Sequence, residues 1–357
     1  MGRAGLGSPR ALALPLACAV VLTVTVPSAF GGDIERAHAA YRAMERIYFD
    51  SRSGDYREAA GDRAGAHAWP FSQALAATIG MARLDGPGSP LDQDVTSRFR
   101  FLKHRFAARS LYLAWPHGYV YYDDNEWIAL DLLDWNAVEP HRSAVRSAVK
   151  VFDAVVSAWS TDAALTCPGG IPWTTAPGNH DRNTVTTANG AVLGLRLYLL
   201  SHRPYLLQWA TRMLAWLDQC MLAPDGLFWD HLGAGTVDAT EWSYNQGSIM
   251  EAYRLLYLAT GNPGDLARAE SIADTTLATF STRWTSSEPP EFAAIFFRRL
   301  LQLALTAGRA DYVAAARSYA AELSTMPRTR LLAQAALVQI YAALAAPPPA
   351  QARTEKQ

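Results

Sequence analysis

The segment Tyr121-Tyr122-Asp123-Asp124-Asn125-Glu126-Trp127-Ile128 sets two carboxylates side by side among aromatic rings. A single Asp at such a place would be an ordinary helix N-cap, favoured there by the helix dipole. A second, adjacent carboxylate is repelled by the first, so one of the two should keep its proton to higher pH. A neutral acid beside an ionised carboxylate is the pairing that glycoside hydrolysis needs. Neighbouring Cα atoms lie about 3.8 Å apart. Side chains diverging at a helix start can separate the carboxyl groups by about 5–6 Å, nearer the retaining than the inverting spacing. Capping and catalysis therefore both fit Asp123 and Asp124.

Sugars present apolar C–H faces and fixed hydroxyls, so a sugar site calls for flat aromatics with amide or carboxylate partners. Trp69, Trp173 and Trp242 stand where long loops meet helices, either in the core or against a sugar. Gln73, Asn189, Asn245 and Gln246 fall in first turns of helices, where their amides either point inward or cap and bridge helices. Tyr122 and Tyr244 carry the same two readings. Glu126, Asp131 and Asp134 read as solvated or polar-core residues, and Arg298 either pairs with a carboxylate or meets substrate. Asp230-His231 and His180-Asp181 lie in loops, and no HxxxH or Cys/His cluster accompanies them, so no metal site is expected. There is no Gly-rich phosphate loop and no Ser/His/Asp signature; no cofactor is expected.

Apolar residues recur at helical spacing almost throughout, and alternating strand-like runs are scarce. The expected helices are 33–49, 70–84, 92–109, 123–138, 140–159, 185–201, 203–220, 242–260, 263–281, 290–306, 309–325 and 328–345. Short breaks rich in helix punctuation (Glu139-Pro140, His202-Arg203-Pro204, Thr260-Gly261-Asn262-Pro263, Ala307-Gly308-Arg309) alternate with long ones at 50–69, 110–122, 160–184, 221–241 and 282–289. The unit is a helical hairpin with a drifting repeat of roughly 35–60 residues. Six hairpins can close into a double ring that gathers the long loops over the N-termini of the inner helices. An open solenoid would favour more uniform repeats.

The segment Tyr122-Asp123-Asp124 with Trp127 resembles the Asp-Asp signature of glycoside hydrolase family 76, the bacterial and fungal α-1,6-mannanases. In family order follow Trp69-Pro70-Phe71-Ser72-Gln73-Ala74, Gly169-Gly170-Ile171-Pro172-Trp173, Ala188-Asn189-Gly190 with Leu197-Tyr198, Trp242-Ser243-Tyr244-Asn245-Gln246-Gly247, and Phe292 with Ile295-Phe296-Phe297-Arg298. The resemblance covers roughly residues 35–345. It implies an all-α (α/α)6 barrel and a retaining double displacement, with Asp123 as nucleophile and Asp124 as general acid/base. Ala293-Ala294 stands where the family pattern has Lys-Gly. The asparagine expected shortly before Ser-Asn-Gly is displaced, with Arg182-Asn183 further upstream.

Residues 1–31 read as a secretory signal: Arg3 and Arg10 precede an uncharged run from Ala11 to Val26, and Ala29-Phe30-Gly31 fits a cleavage site. That run is below the roughly 20 residues that span a bilayer, so no stable membrane span is expected. The barrel is expected over 33–346 and a disordered tail over 347–357. Cys167 and Cys220 could pair after export or remain free thiols. The 357 residues carry a formal net charge of −1 and no basic block, which argues against a nucleic-acid partner. Hydrophobic residues are 50%, enough to exclude a largely disordered chain. The expectation is a monomeric enzyme, secreted or in the cell envelope, that cleaves or transglycosylates α-1,6-linked mannan or mannooligosaccharides in endo fashion. A non-catalytic glycan-binding envelope protein on the same scaffold is the rival.

Overall fold

In the computed structural model, which describes residues 1–2, 28–233 and 235–346, twelve α-helices form two concentric rings. The inner ring runs α2 (Ala68–Asp85), α4 (Tyr122–Val138), α6 (Thr184–Ser201), α8 (Ser243–Thr260), α10 (Pro290–Ala307) and α12 (Leu331–Ala345). Each packs on the next, and α12 returns to α2, so the ring is closed. Outside lie α1 (Ser28–Tyr48), α3 (Pro90–Phe106), α5 (Arg142–Ser157), α7 (Pro204–Cys220), α9 (Pro263–Thr279) and α11 (Ala310–Thr325). Five hairpins pair each inner helix with the outer helix that follows it. The sixth joins the two chain ends, α12 with α1.

Sequence decides which helix goes where. Outer α5 buries only Ala144, Ala148, Val151, Phe152 and Val155, one stripe at helical period. Inner α6 buries every residue from Thr184 to Leu195, so its apolar and small residues run all the way round. Gly261 and Gly308 end α8 and α10 in left-handed geometry (φ 76° and 71°), as the short connectors predict. The seam at the chain ends is held by backbone acceptors: Gln334 Nε2 donates to Ala40 O at 2.8 Å and Tyr48 OH to Arg328 O at 3.0 Å.

The long loops all sit at the N-terminal end of the inner ring and contain the strands, each two residues long. β1 (Phe49–Asp50) pairs with β2 (Asp55–Tyr56), and β3 (Ala107–Ala108) with β4 (Leu111–Tyr112). β5 (Arg182–Asn183), β6 (His231–Leu232) and β7 (Val237–Asp238) form one antiparallel sheet. The helix expected to reach residue 109 stops at 106, because 107–112 turns back as a hairpin with Arg109 at φ 59°. Asn125 fixes that hairpin, accepting from Tyr112 N at 2.7 Å and donating to Tyr112 O at 2.9 Å. The expected signal segment lies mostly outside the described residues and the tail wholly so. Helix α1 already begins at Ser28. No helix among the described residues is long and apolar enough to cross a membrane.

Cys167 and Cys220 are joined in a disulfide, Cα–Cα 6.0 Å, which ties the loop before α6 to the end of α7. Closing a loop of 53 residues removes unfolded-state entropy worth about 4 kcal/mol in the chain-entropy model. Cys220→Ala, or reduction, is therefore expected to lower the unfolding free energy by up to about that amount. Urea unfolding with and without reductant reads this directly, and an unchanged midpoint would contradict it.

Candidate active site

Three loops are laced together above the N-terminus of α4. Tyr122 N donates to Trp173 O at 2.9 Å, Trp173 N to Asp181 O at 3.0 Å, and Asn183 N to Ile171 O at 3.1 Å. Thr184 N then donates to Asp230 O at 2.9 Å, carrying the chain of bonds to the loop before α8. Gly169 and Gly170 make the approach possible. Both have positive φ, and a Cβ on Gly170 would lie 2.6 Å from the Trp216 ring. The disulfide holds the same loop from below, and Arg182 grips it by donating to the carbonyls of Thr166, Cys167 and Gly169. Trp173 is thereby held over the start of α4.

Asp123 and Asp124 occupy the first turn of α4. Asp123 remains partly exposed at the loop end, whereas Asp124 is 9% exposed. Loss of water raises the Asp123 carboxyl from 3.8 to about 6, with the charge on Asp230 adding to the rise. The Trp173 indole N–H and the backbone N–H groups of Asp123 and Asp124 act against it, favouring the ionised form. Asp124 is pushed well above the usual carboxyl range, first by burial and then by the charge on Asp123, with no donor among the described residues to oppose this. The two groups therefore divide their roles. Asp123 ionises first, and Asp124 keeps the proton.

One wall of the site is aromatic. Phe292 lies at its centre, with ring centroids 6.0 Å from Trp69, 5.5 Å from Trp242 and 4.2 Å from Tyr244. The Tyr121 ring stands edge-on to Trp173 at 4.9 Å. A third carboxylate, Asp230, accepts from Tyr244 OH at 3.3 Å and from Asn245 Nδ2 at 3.0 Å. Burial and the charges on Asp230 and Asp123 keep the Tyr244 hydroxyl protonated. Beneath the pair, Glu126 is fully buried with neither oxygen bonded. Burial, and then the Asp123 charge, raise its carboxyl well above the usual range, so it sits neutral. Below it Arg299 lies 4.9 Å over the Trp127 ring and donates to Asn189 Oδ1 at 2.9 Å, closing the floor.

The model of the glycosyl hydrolase family 76 matches residues 34–322. The chain belongs to this family, and so to the glycoside hydrolases. Solved structures share its (α/α)6 barrel. A family 76 glycoside hydrolase from a bovine Bacteroides thetaiotaomicron strain is similar at TM-score 0.78 and 22% identity, over 88% of this chain and 77% of that one. An inactive variant of the α-1,6-mannanase of Salegentibacter sp., in complex with α-1,6-mannotriose, is similar at TM-score 0.77 and 20% identity, over 88% and 99% of the two chains. Dfg5 from Chaetomium thermophilum in complex with glucosamine gives TM-score 0.70 at 16% identity, over 90% and 92%. No curated protein matches the chain in sequence.

Within this family 76 barrel, Asp123, Asp124, Tyr122, Trp173, Trp69, Trp242, Tyr244 and Asn245 meet at the loop end. Three of the amides singled out in the sequence are held elsewhere. Gln246 bonds Phe228 N at 2.9 Å, Phe228 O at 2.8 Å and Trp242 O at 3.2 Å, so its amide fastens the loop before α8. Gln73, deeper along the axis, accepts from Gln339 Nε2 at its main-chain carbonyl at 2.7 Å and at its Oε1 at 3.4 Å, and Asn189 is in the floor. Arg298 also lies on the axis and donates to Gln339. Sequence reasoning weighed Asp230 only as a metal ligand and passed over Phe292 as a site residue. Phe292 stands in the first turn of the inner helix α10, and Asp230 lies beside β6 in the long loop that leads to α8. Asp230, His231 and Asp238 come within 4.8 Å of one another, and His231 Nδ1 lies 3.0 Å from Asp230 Oδ2.

Because the folded Asp123 carboxyl titrates near 6 rather than 3.8, the folded state holds a proton that the unfolded chain has already released between those values. Stability contributed by the neutral form is therefore present below about pH 4 and lost as pH rises through about 6. Asp123→Asn should be more stable than the wild type at pH 7 by on the order of 1–3 kcal/mol, with the difference vanishing below pH 4. Urea titrations at the two pH values measure this, and a variant less stable at pH 7 would contradict it.

Proposed function

We propose that this family 76 chain is an exported, retaining endo-acting hydrolase, or transglycosylase, of α-1,6-linked mannan. The observation that carries the reading is the adjacent placement of Asp123 and Asp124 in the first turn of α4 at the loop end of the ring, the first partly exposed and the second buried. Asp123, the readily ionised member, attacks the anomeric carbon while Asp124 gives its proton to the departing glycosidic oxygen. This forms a glycosyl ester on Asp123 and releases the leaving sugar as an alcohol. Asp124, now a carboxylate, takes a proton from water, or from a sugar hydroxyl in transfer, as that oxygen attacks the same carbon and frees Asp123. No cofactor enters this sequence. Trp69, Trp242, Tyr244 and Phe292 offer faces to sugar C–H groups, and Asp230 and Asn245 offer hydroxyl partners. The mannotriose complex of the Salegentibacter relative supports mannan as the substrate class. The signal pattern at residues 1–31 supports export.

One observation favours a binding protein without turnover. Ala293 and Ala294 are buried and put no cation in the first turn of α10, where the family pattern has Lys-Gly. That rival predicts mannan binding unaffected by Asp124→Asn.

Incubation with α-1,6-mannooligosaccharides, followed by mass spectrometry, separates the two. The wild type should cleave or transfer internally, with Asp123→Asn and Asp124→Asn slower by roughly 10²–10⁴-fold. The first product, seen by proton NMR, should keep the α configuration. The rate should fall on the acid side near pH 6, as Asp123 takes up its proton, and on the alkaline side as Asp124 loses its own. Wild type indistinguishable from both variants would defeat the proposal.

A further inference from the structure

A second polar cavity lies on the ring axis, beyond the floor formed by Trp127 and Arg299. It has a volume of about 190 Å³ and is lined from all six inner helices. Most of its lining residues lie in the middle and C-terminal halves of those helices, with Gln73 and Trp127 at its upper edge toward the carboxylate pair. Arg196 and Asp134 on its wall have side chains 14% and 25% exposed, so solvent reaches it from the C-terminal end of those helices.

Its charges do not balance. Arg254 is matched by a two-bond pair with Glu251, at 2.7 Å each. Arg196 is matched by Asp134 at 2.8 Å. Asp131 is pushed above the usual carboxyl range by burial and then by Asp134, with Arg298 and Arg196 acting against the rise, and its Oδ2 is buried without a partner. That leaves three guanidinium groups without a carboxylate at hydrogen-bonding distance. Arg298 donates to the amide oxygen of Gln339. Arg299 donates to Ser248 and Asn189, and burial lowers it to about 9. Arg83 has no hydrogen-bond partner among the described residues, and only Asp134 acts on it favourably. A neutral donor, Gln302 Nε2, is also buried on this lining without an acceptor. Helix dipoles do not account for the arrangement. Their pull is confined to the last turn, and of these arginines only Arg83 stands in one.

We propose that this cavity binds a small multivalent oxyanion of the phosphate class. Planar guanidinium forks match tetrahedral oxyanions by paired hydrogen bonds. Five arginines face three carboxyl groups on this lining, and three of the guanidinium groups and one amide N–H converge on about 190 Å³ with no carboxylate bonded to them among the described residues. Bound there, the anion bridges α2 and α10, the two neighbours of α12 in the ring, and stabilises the folded barrel by mass action. The site needs neither Asp123 nor Asp124, so it stands independently of the glycosidase reading.

Calorimetric titration of the full chain at pH 7 tests this, with inorganic phosphate and diphosphate set against chloride at equal ionic strength. One anion should bind per chain and raise the melting temperature, where chloride does neither. Arg298→Gln and Arg83→Gln should each weaken binding about tenfold or more, the loss expected for a charge-assisted hydrogen bond. Gln302→Leu, which keeps the charge, should weaken it less. Asp123→Asn should leave it unchanged. Circular dichroism checks that each variant is folded, and either arginine variant alone is sufficient. Absence of phosphate binding in the wild type would overturn the proposal. So would binding that the folded arginine variants leave intact, or that Asp123→Asn abolishes.

Discussion

Two carboxyl groups on adjacent residues, both drawn out of water, cannot both hold a negative charge at ordinary pH. Much of the loop end of this barrel bears on that constraint. Asp123 sits where backbone N–H groups at the start of α4 and the Trp173 indole favour its ionised form, and Asp124 sits one residue deeper with no donor among the described residues to favour ionisation. The asymmetry of the two carboxyl groups thus comes from a difference in exposure and donors between neighbours. Such a placement costs stability in the folded state, a common feature of active sites.

The scaffold meets that cost by rigidity around the pair. A closed inner ring fixes the helix starts, and the long loops are bound to one another by main-chain hydrogen bonds that run from Tyr122 through Trp173, Asp181 and Asn183 to Asp230. The Cys167–Cys220 disulfide and the three carbonyls held by Arg182 anchor the loop that supplies Trp173. Gln246 and Asn125 work in the same sense from the helix side, each using its amide to fasten a loop. The ring is also polar along its axis, with carboxylates crowded at the loop end and arginines outnumbering carboxyl groups beyond the floor.

The double ring could be read from periodicity and punctuation. Inner helices are apolar all round, outer ones carry a stripe, and Gly261 and Gly308 mark the turns between them. These are local signals, carried within a few residues. The pair at 123–124 was legible for the same reason, since adjacent like charges at a helix start are unusual without a task. What escaped depended on contacts across the ring. Helix α3 ends early because Asn125, on another helix, claims the residues after it. Gln246 has the sequence position of a substrate ligand, yet its amide is taken by Phe228 and Trp242 in three dimensions. Asp230, in a loop beside a histidine, carried no role in the sequence, and only the fold shows that its charge bears on Asp123. Whether Cys167 meets Cys220 was likewise a matter of how α7 packs.

The most direct test of the unequal pair is to watch the two carboxyl groups themselves. Carbon NMR of the protein labelled at Asp side-chain carboxyls, with Asp123→Asn and Asp124→Asn used for assignment, follows both from pH 3 to pH 9. The account predicts two well-separated steps, one near 6 and a second higher, with the lower step lost in Asp123→Asn. Two carboxyls that both titrate near 4, as free aspartates do, would contradict it.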